Sequence, residues 1–416
     1  MKITHIHIER FRGFQNEDFE VGSLLTAIAG QNGTQKSTLL GIITQTFTLK
    51  TEDSMRVEKP LCGGSYISAF KDKFRLSPTF DKPKGHEWTI SFDAGMDDFT
   101  VESIKRTGDP NVRFWKKGAR QEGDGYISFP TIFLSLKRLV PVAEEAKIIT
   151  DDTLLTQEEL NEFKQLHNKI LIAQTPISSA TTITSKNKQS IGVSTELYDW
   201  NQNSMGQDNL GKIILALFSF KRLHDKYPRQ YKGGILAIDE MDATMYPASQ
   251  VELLKVLRKY ASKLNLQILF TTHSMSLLKA MDDLVQEVTK KEETANQAKI
   301  LYLKKVDDKI AIKQGVNFKG IQLDLNVVAE GNNRKKNRIT AYTEDKENIL
   351  FVKAILKSKA FVLDFVDVTL PCSTLMELVT KRVPAFIYPY SIVILDGDVR
   401  MTLIPQHYYK IFFLST

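Results

Sequence analysis

The residues best suited to chemistry form one short run, Gly30-Gln31-Asn32-Gly33-Thr34-Gln35-Lys36-Ser37-Thr38, set between an apolar strand-like stretch and an apolar helix-like one. A glycine-containing loop that feeds a helix N-terminus turns several backbone N–H groups toward one point, where the helix dipole also favours negative charge. Lys36 is spaced to reach the β- and γ-phosphates of a nucleotide, and the Ser37 hydroxyl to hold Mg²⁺. One position departs from the usual pattern, because a glycine is expected immediately before the lysine and Gln35 stands there. Either its side chain points away from the nucleotide, or the backbone approaches the phosphate less closely.

Three further segments carry polar groups that suit the same ligand. Ile235-Leu236-Ala237-Ile238-Asp239-Glu240 reads as a buried strand ending in two carboxylates, and ligands of open α/β sheets sit at the carboxyl ends of strands. Asp239 is placed to support Mg²⁺ through water, and Glu240 to polarise the water that attacks the γ-phosphate. A second strand, Gln267 to Thr271, leads into Thr272-His273-Ser274, where His273 can hydrogen-bond a γ-phosphate and report its presence. Asn203-Ser204-Met205-Gly206-Gln207-Asp208 opens another helix, and its tip, with Ser204, Gly206 and Gln207, is a second anion site. A monomer does not need two.

Elements must hold these groups in place. Residues 1–29 alternate as strands with a turn at Arg12-Gly13, and helix begins at Lys36. Residues 51–138 are rich in aromatic and turn residues and read as β-structure ending in a strand from Thr131 to Leu136. Thr156 and Glu159 have capping-box spacing ahead of an amphipathic helix. Residues 174–195 hold ten Ser/Thr in 22 positions and read as a loop. From Asn203 to Asp282 helix and buried strand alternate, which argues a parallel sheet covered by helices. Residues 283–340 are rich in lysine and glutamate, with short strands, and read as a connector; a further helix and buried strand follow in 341–416.

Composition bounds the class. The 416 residues are 42% hydrophobic and 25% charged, an ordinary globular balance. Two cysteines, Cys62 and Cys372, supply neither a disulfide framework nor zinc spacing, and no apolar run approaches bilayer length. The expectation is a soluble, cytoplasmic chain without a membrane partner. Of the net charge of +7, much is local: residues 331–360 hold eight basic against three acidic side chains, including Arg334-Lys335-Lys336 and Arg338, and residues 101–120 hold six against two, with Trp115 among them. Such patches attract phosphate backbones by counterion release, so nucleic acid is an expected partner; solvated surface is the plainer reading of both.

Taken together, the segments resemble ABC-type ATPases of the SMC, RecF and OLD branch. Gly30-x-Asn32-Gly33-x-x-Lys36-Ser37-Thr38 resembles the Walker A motif of that branch, Ser204-Met205-Gly206-Gln207 its signature, Asp239-Glu240 its Walker B, Met241-Asp242-Ala243 its D-loop region and His273 its switch histidine. The opening Ile8-Glu9-Arg10-Phe11-Arg12-Gly13-Phe14 is similar to the family's first strand pair. Met205 stands where a glycine is expected against the γ-phosphate. The resemblance implies an α/β fold, an ABC-type P-loop head over residues 1–282 with a mixed sheet and a β-rich, Ser/Thr-rich insertion around 51–195. It implies ATP and Mg²⁺ enclosed between two copies, in a dimer or a higher oligomer, with Asn32, Gly33, Thr34, Gln35, Lys36, Ser37 and Thr38 from one copy facing Ser204, Gly206 and Gln207 from the other. No sustained heptads occur, which excludes long coiled-coil arms and directs the resemblance to compact OLD-like ATPases of phage defence, the Septu type and its retron-carried versions among them.

In the same resemblance, residues 341–416 are similar to an incomplete Toprim nuclease region, with Glu344, Asp396 and Asp398 as the metal-binding acids. Only 18 residues follow Asp398, and Asp-Gly-Asp after a strand is also ordinary turn chemistry. The leading expectation is therefore a dimeric ATPase that senses or gates a partner HNH-type nuclease in antiphage defence, with a reverse transcriptase and its RNA/DNA element as a further partner. The alternatives are an OLD-like metal-dependent nuclease in its own right, a RecF-like DNA-repair ATPase, and a chain that keeps ATP as a structural ligand only.

Overall fold

A computed structural model describes residues 1–67, 73–93, 95–105, 112–118, 125–140, 148–152, 154–185, 189–329, 339–386, 391–396 and 411–414. They form two compact units, Met1–Leu325 and Asn326–Thr416.

The first unit opens with β1 (Ile3–Phe11), β2 (Phe14–Glu20), β3 (Leu25–Gly30) and α1 (Lys36–Thr44). Next come β4 (Phe47–Thr48), β5 (Glu87–Phe92), β6 (Phe99–Lys105), β7 (Val112–Lys116), β8 (Ile127–Ser128) and β9 (Thr131–Leu134). β10 (Ile149–Asp152), α2 (Gln157–Leu171), β11 (Ser179–Thr184), β12 (Gln189–Ser194) and α3 (Met205–Lys226) follow. The unit continues through β13 (Gly234–Ile238), α4 (Pro247–Lys263), β14 (Leu266–Thr272), α5 (Met275–Val288), β15 (Ala298–Val306) and β16 (Lys309–Lys313), then α6 (Phe318–Ala329).

A six-stranded mixed sheet, in the order β16-β15-β3-β14-β13-β9, is the frame of this unit. All its neighbours run parallel except β15 and β16. Its inner strands are buried on both faces, as parallel strands covered on each side must be. Successive side chains therefore alternate between two cores. Leu25, Ala27 and Ala29, Leu236 and Ile238, and Ile268 and Phe270 enter one core with α3, α4 and α5. Ile28, Ile235, Ala237 and Leu269 enter the other, with α1 and the antiparallel sheet β2-β1-β5-β6-β7. The α/β class and the mixed sheet with a β-rich lobe are thus observed.

The Arg12-Gly13 turn joins β1 to β2, with Phe11 opposite Phe14. The capping box of α2 is formed: the Thr156 hydroxyl accepts from the Glu159 N–H, and the Glu159 carboxylate accepts from the Thr156 N–H. β9 stops at Leu134, two residues before its expected end, and a single 3₁₀ turn, Leu136–Leu139, takes over.

Two expectations are corrected. Residues 174–195 are not a loop: β11 and β12 pair antiparallel and with β10 form a three-stranded sheet. Their threonines and isoleucines are β-branched, which suits a half-buried pleated surface, and Ile183, Ile191 and Val193 are buried there. Nor are residues 283–340 a connector. β15 lies parallel beside β3 in the frame sheet, with Ile300 opposite Ala27. Its buried Ile300, Leu301, Tyr302 and Leu303 were outweighed in composition by Lys299, Lys304 and Lys305. The two compact units divide at Leu325, beyond β15 and β16.

The second unit holds β17 (Ile339–Thr343), α7 (Lys346–Leu356), β18 (Leu363–Phe365), α8 (Cys372–Thr380), β19 (Ser391–Asp396) and β20 (Ile411–Leu414). Among the described residues its four strands are all parallel, in the order β18-β17-β19-β20. Among the described residues no helix is long and apolar enough to cross a membrane.

Candidate functional site

β3, β13 and β14 are adjacent and parallel, so their carboxyl ends open on one side of the sheet. The loop after β3 carries Asn32 and Gly33 exposed at its mouth, and Thr34 buried, its hydroxyl donating to the Gln31 carbonyl at 2.8 Å. Lys36 opens α1 and is also buried. Its Nζ turns back over the loop to donate to the Gly30 carbonyl (3.1 Å) and the Gln31 carbonyl (2.8 Å). Burial lowers its pKa to about 8, against the opposing pull of Glu240, Asp239 and Asp242. A half-desolvated cation aimed into a loop of this kind is what an anionic ligand would meet.

Gln35 caps α1 with φ 62° and ψ 32°. This is the left-handed region, where a residue with a Cβ is strained and glycine is not. Its side chain runs toward the β1–β2 turn. A Cβ added at Gly13 would lie 2.8 Å from the Gln35 Nε2 and 2.6 Å from the Ile310 Cγ1, so a side chain there would displace one or both. The Gln35 Oε1 is buried without a hydrogen-bond partner among the described residues. The side chain thus packs toward Gly13.

Ser37, the next residue of α1, donates from its hydroxyl to the Asp239 Oδ1 at 2.9 Å. The same Oδ1 accepts from the Thr271 hydroxyl at 2.7 Å, and that hydroxyl oxygen accepts from the Glu240 N–H at 2.6 Å. One threonine of β14 therefore aligns both acids at the end of β13. Glu240 itself has φ 50°, and among the described residues its carboxylate has no hydrogen-bond partner. His273 follows β14 and is exposed. Partial burial and the Lys36 charge lower its pKa, with Asp242, Glu240 and Asp239 opposing. Ser274 caps α5 and hydrogen-bonds the Gln250 Oε1, while the Gln250 Nε2 donates to the Asp242 and Met245 carbonyls at 3.2 and 2.7 Å. The His273 turn is thereby tied to the Asp242 loop. Thr38 is half-buried on α1.

Ser204 caps α3 in a second capping box: its Oγ accepts from the Gln207 N–H at 3.3 Å, and the Gln207 Oε1 accepts from the Ser204 N–H at 2.8 Å. Gln207 also donates to the Tyr198 hydroxyl at 2.7 Å. Gly206 sits where a Cβ would fall 2.5 Å from the Thr244 carbonyl oxygen. None of the three hydrogen-bonds to residues 30–38 of the same chain among the described residues. Ser204 and Met205 are exposed.

Sequence reasoning missed Thr271, Asn209 and Arg138. Arg138 is 2% exposed and donates to four acceptors around the site. Nothing in its neighbourhood forms a motif; the signal available was an arginine four residues past a buried strand, in the 3₁₀ turn that follows it.

In the second unit, Glu344 directly follows β17 and Asp396 ends β19, the neighbouring parallel strand in which Ile394 is opposite Thr343. The two acids therefore come to one end of that sheet. Asp398 and the basic residues Arg334, Lys335, Lys336 and Arg338 lie outside the described residues. Among the described residues no group of three or more His, Cys, Asp or Glu side chains is arranged to hold a metal ion.

Residues 135–278, roughly a third of the chain, match the family model of the AAA ATPase domain. No curated protein matches the chain. Among solved structures, the SMC head domain from Thermotoga maritima is similar at 14% identity with a TM-score of 0.42, over 76% of this chain and 100% of that one. The Smc head domain with an extended coiled coil bound to the C-terminal domain of ScpA, derived from Pyrococcus furiosus, is similar at 12% identity and TM-score 0.41, over 80% and 100%. The recombination mediator protein RecF, in its RecF-ATPrS structure, is similar at 11% identity and TM-score 0.38, over 76% and 98%.

Proposed function

We propose that this chain binds ATP with Mg²⁺ and hydrolyses it between two copies. The observation that carries the reading is the Ser37–Asp239 hydrogen bond at 2.9 Å beside the inward-turned Lys36. A hydroxyl and a carboxylate in contact are hard oxygen donors that suit Mg²⁺, so the residues fit the ion. Ser37 would hold it directly and Asp239 through water; bound Mg²⁺ would offset charge on the β- and γ-phosphate oxygens. The match of residues 135–278 to an AAA ATPase domain supports the same activity.

Each residue then has a role. The loop N–H groups of Asn32, Gly33, Thr34 and Gln35, with those of Lys36 to Thr38, cradle phosphate, and Lys36 exchanges its two carbonyl partners for phosphate oxygens. Glu240, whose carboxylate is not engaged by a described neighbour, accepts the proton of the attacking water, and His273 hydrogen-bonds the γ-phosphate. Exposed Ser204, half-buried Gln207 and buried Gly206 form a helix tip that already satisfies its own cap, and the tip meets the γ-phosphate held by the second copy. Turnover and solution mass of the purified chain with ATP and Mg²⁺ test this directly. Glu240→Gln is expected to keep ATP bound, trap the two-copy form and lower kcat at least 100-fold; turnover at the wild-type rate would sink the mechanism.

The cycle serves to gate a separate HNH-type nuclease in antiphage defence, with nucleic acid on the basic strand β7 and a reverse transcriptase with its RNA/DNA element as a further partner. This assignment rests on the motif resemblance. The Arg113 guanidinium stacked 4.0 Å over the Trp115 ring supports β7 as a basic surface. A second reading, metal-dependent DNA cleavage by the chain itself, is favoured by Glu344 and Asp396 at adjoining ends of parallel strands.

A further inference from the structure

We propose that Arg138 and Asn209 are positioning residues that couple the helix tip at Ser204 to Glu240 of the same chain, so that engagement of the tip by a second copy sets the hydrolysis rate at this copy's own phosphate loop. The inference rests on the two-copy reading above.

A buried arginine is tolerated when its N–H groups are matched. The Arg138 Nε donates to the Asn209 Oδ1 at 2.7 Å, Nη1 to the Leu134 and Ser135 carbonyls at 3.2 and 3.1 Å, and Nη2 to the Glu240 carbonyl at 2.8 Å. Every one of these acceptors is a neutral oxygen. Asp239, Glu240 and Asp242 favour its charge from nearby, while burial lowers its pKa to about 10, so it stays protonated at neutral pH. Asn209, in the first turns of α3, is fully buried and donates its Nδ2 to the Ala243 carbonyl at 2.9 Å.

The turn from Glu240 to Thr244 is therefore held at both ends. Arg138 holds the Glu240 carbonyl, Asn209 holds the Ala243 carbonyl, and Gly206 lies against the Thr244 carbonyl. Glu240 and Thr244 both have positive φ, at 50° and 68°. Non-glycine residues stay in that region only where their surroundings over-determine them. A shift of the first turns of α3 cannot leave this turn in place, and its first residue carries the carboxylate. In a two-copy site, Ser204 serves the partner's nucleotide while Glu240 serves its own. The link thus runs from one site to the other within a single chain.

The full chain tests this with Asn209→Ala, Asn209→Asp and Arg138→Lys, read by affinity for a ribose-labelled ATP analogue, kcat, the Hill coefficient for ATP and Tm. Wild type is expected to hydrolyse with a Hill coefficient above 1. Asn209→Ala and Arg138→Lys should lower kcat at least tenfold and bring the coefficient to 1, with nucleotide affinity within threefold. Asn209→Asp, which still accepts from Arg138, should keep more of kcat than Asn209→Ala. If Arg138→Lys does not fold, the two Asn209 variants decide. A hyperbolic wild-type curve, or variants that change only Tm, overturns the link. Absence of any Glu240-dependent turnover in wild type instead overturns the two-copy reading itself.

Discussion

The Ser37 hydroxyl and the Asp239 carboxylate, 202 positions apart in sequence, meet at 2.9 Å where the first helix leaves its loop beside the end of β13. A contact of that kind predicts a metal requirement. EDTA should weaken binding of labelled ATP to wild type at least tenfold, and Ser37→Ala should bind ATP equally weakly with or without Mg²⁺. Isothermal titration at both conditions checks this; an undiminished Mg²⁺ effect in Ser37→Ala would remove the residue from the metal site.

Lys36 titrates in reach of experiment. Its pKa in the free chain is lowered to about 8 by burial, and an anionic ligand favours the protonated form. Above that pH the ammonium must recover a proton on binding, so affinity for ATP should fall by up to about tenfold per pH unit. Arginine stays charged throughout this range, so whatever affinity Lys36→Arg retains should be nearly flat between pH 7 and 9. Lys36→Ala should weaken binding about 10- to 100-fold at pH 7, the worth of one charge-assisted contact.

Gln35 is held in a conformation that costs a residue with a Cβ about 1–2 kcal/mol, and it buries an amide oxygen without a partner. Gln35→Gly relieves both but adds freedom to the unfolded chain, worth about 0.4–1 kcal/mol. Its Tm should therefore match or exceed wild type. Gln35→Val, β-branched at the same angles, should be less stable by about 2 kcal/mol. Calorimetry of the pair decides, and a Gln35→Gly chain clearly less stable than wild type would show that the packing toward Gly13 outweighs the strain.

Gly206 faces a backbone oxygen that cannot swing aside. Gly206→Ala should lower stability by about 1–3 kcal/mol and turnover at least tenfold, because the helix tip must lift from Thr244. Thermal unfolding and a coupled phosphate-release assay read the two effects separately. Wild-type values in both would mean that the approach is looser than drawn.

The second reading has its own test. Plasmid incubated with the chain and Mg²⁺ or Mn²⁺ should remain intact if the chain only gates a partner. Cleavage that disappears in Asp396→Ala would assign nuclease chemistry to residues 341–416.

The frame and the site differ in how far they could be read from sequence. The phosphate loop was legible because its chemistry is contiguous, and β13 and β14 because parallel strands buried on both faces carry apolar runs, Ile235 to Ile238 and Ile268 to Phe270. The parts that were not legible are those that composition hides or that depend on long-range contact. Lysines interrupt β15, and serines and threonines make β11 and β12 look like a loop. Thr271 and Arg138 act through hydrogen bonds that reach segments distant in sequence, Asp239 and Glu240 for the one and Asn209 and Glu240 for the other, with no pattern around them in sequence. Gln35 shows the opposite case: the sequence exposed the anomaly, but only the Gly13 contact shows where its side chain goes.

The parallel pairing of β15 with β3 bears on how the molecule can be divided. Truncation after residue 282, the limit that the motifs alone suggest, would strip the strand that leads into the phosphate loop of its neighbour on one side. An unprotected apolar edge of that kind recruits other chains. Such a fragment should aggregate on expression, whereas one ending at Leu325 retains the whole sheet.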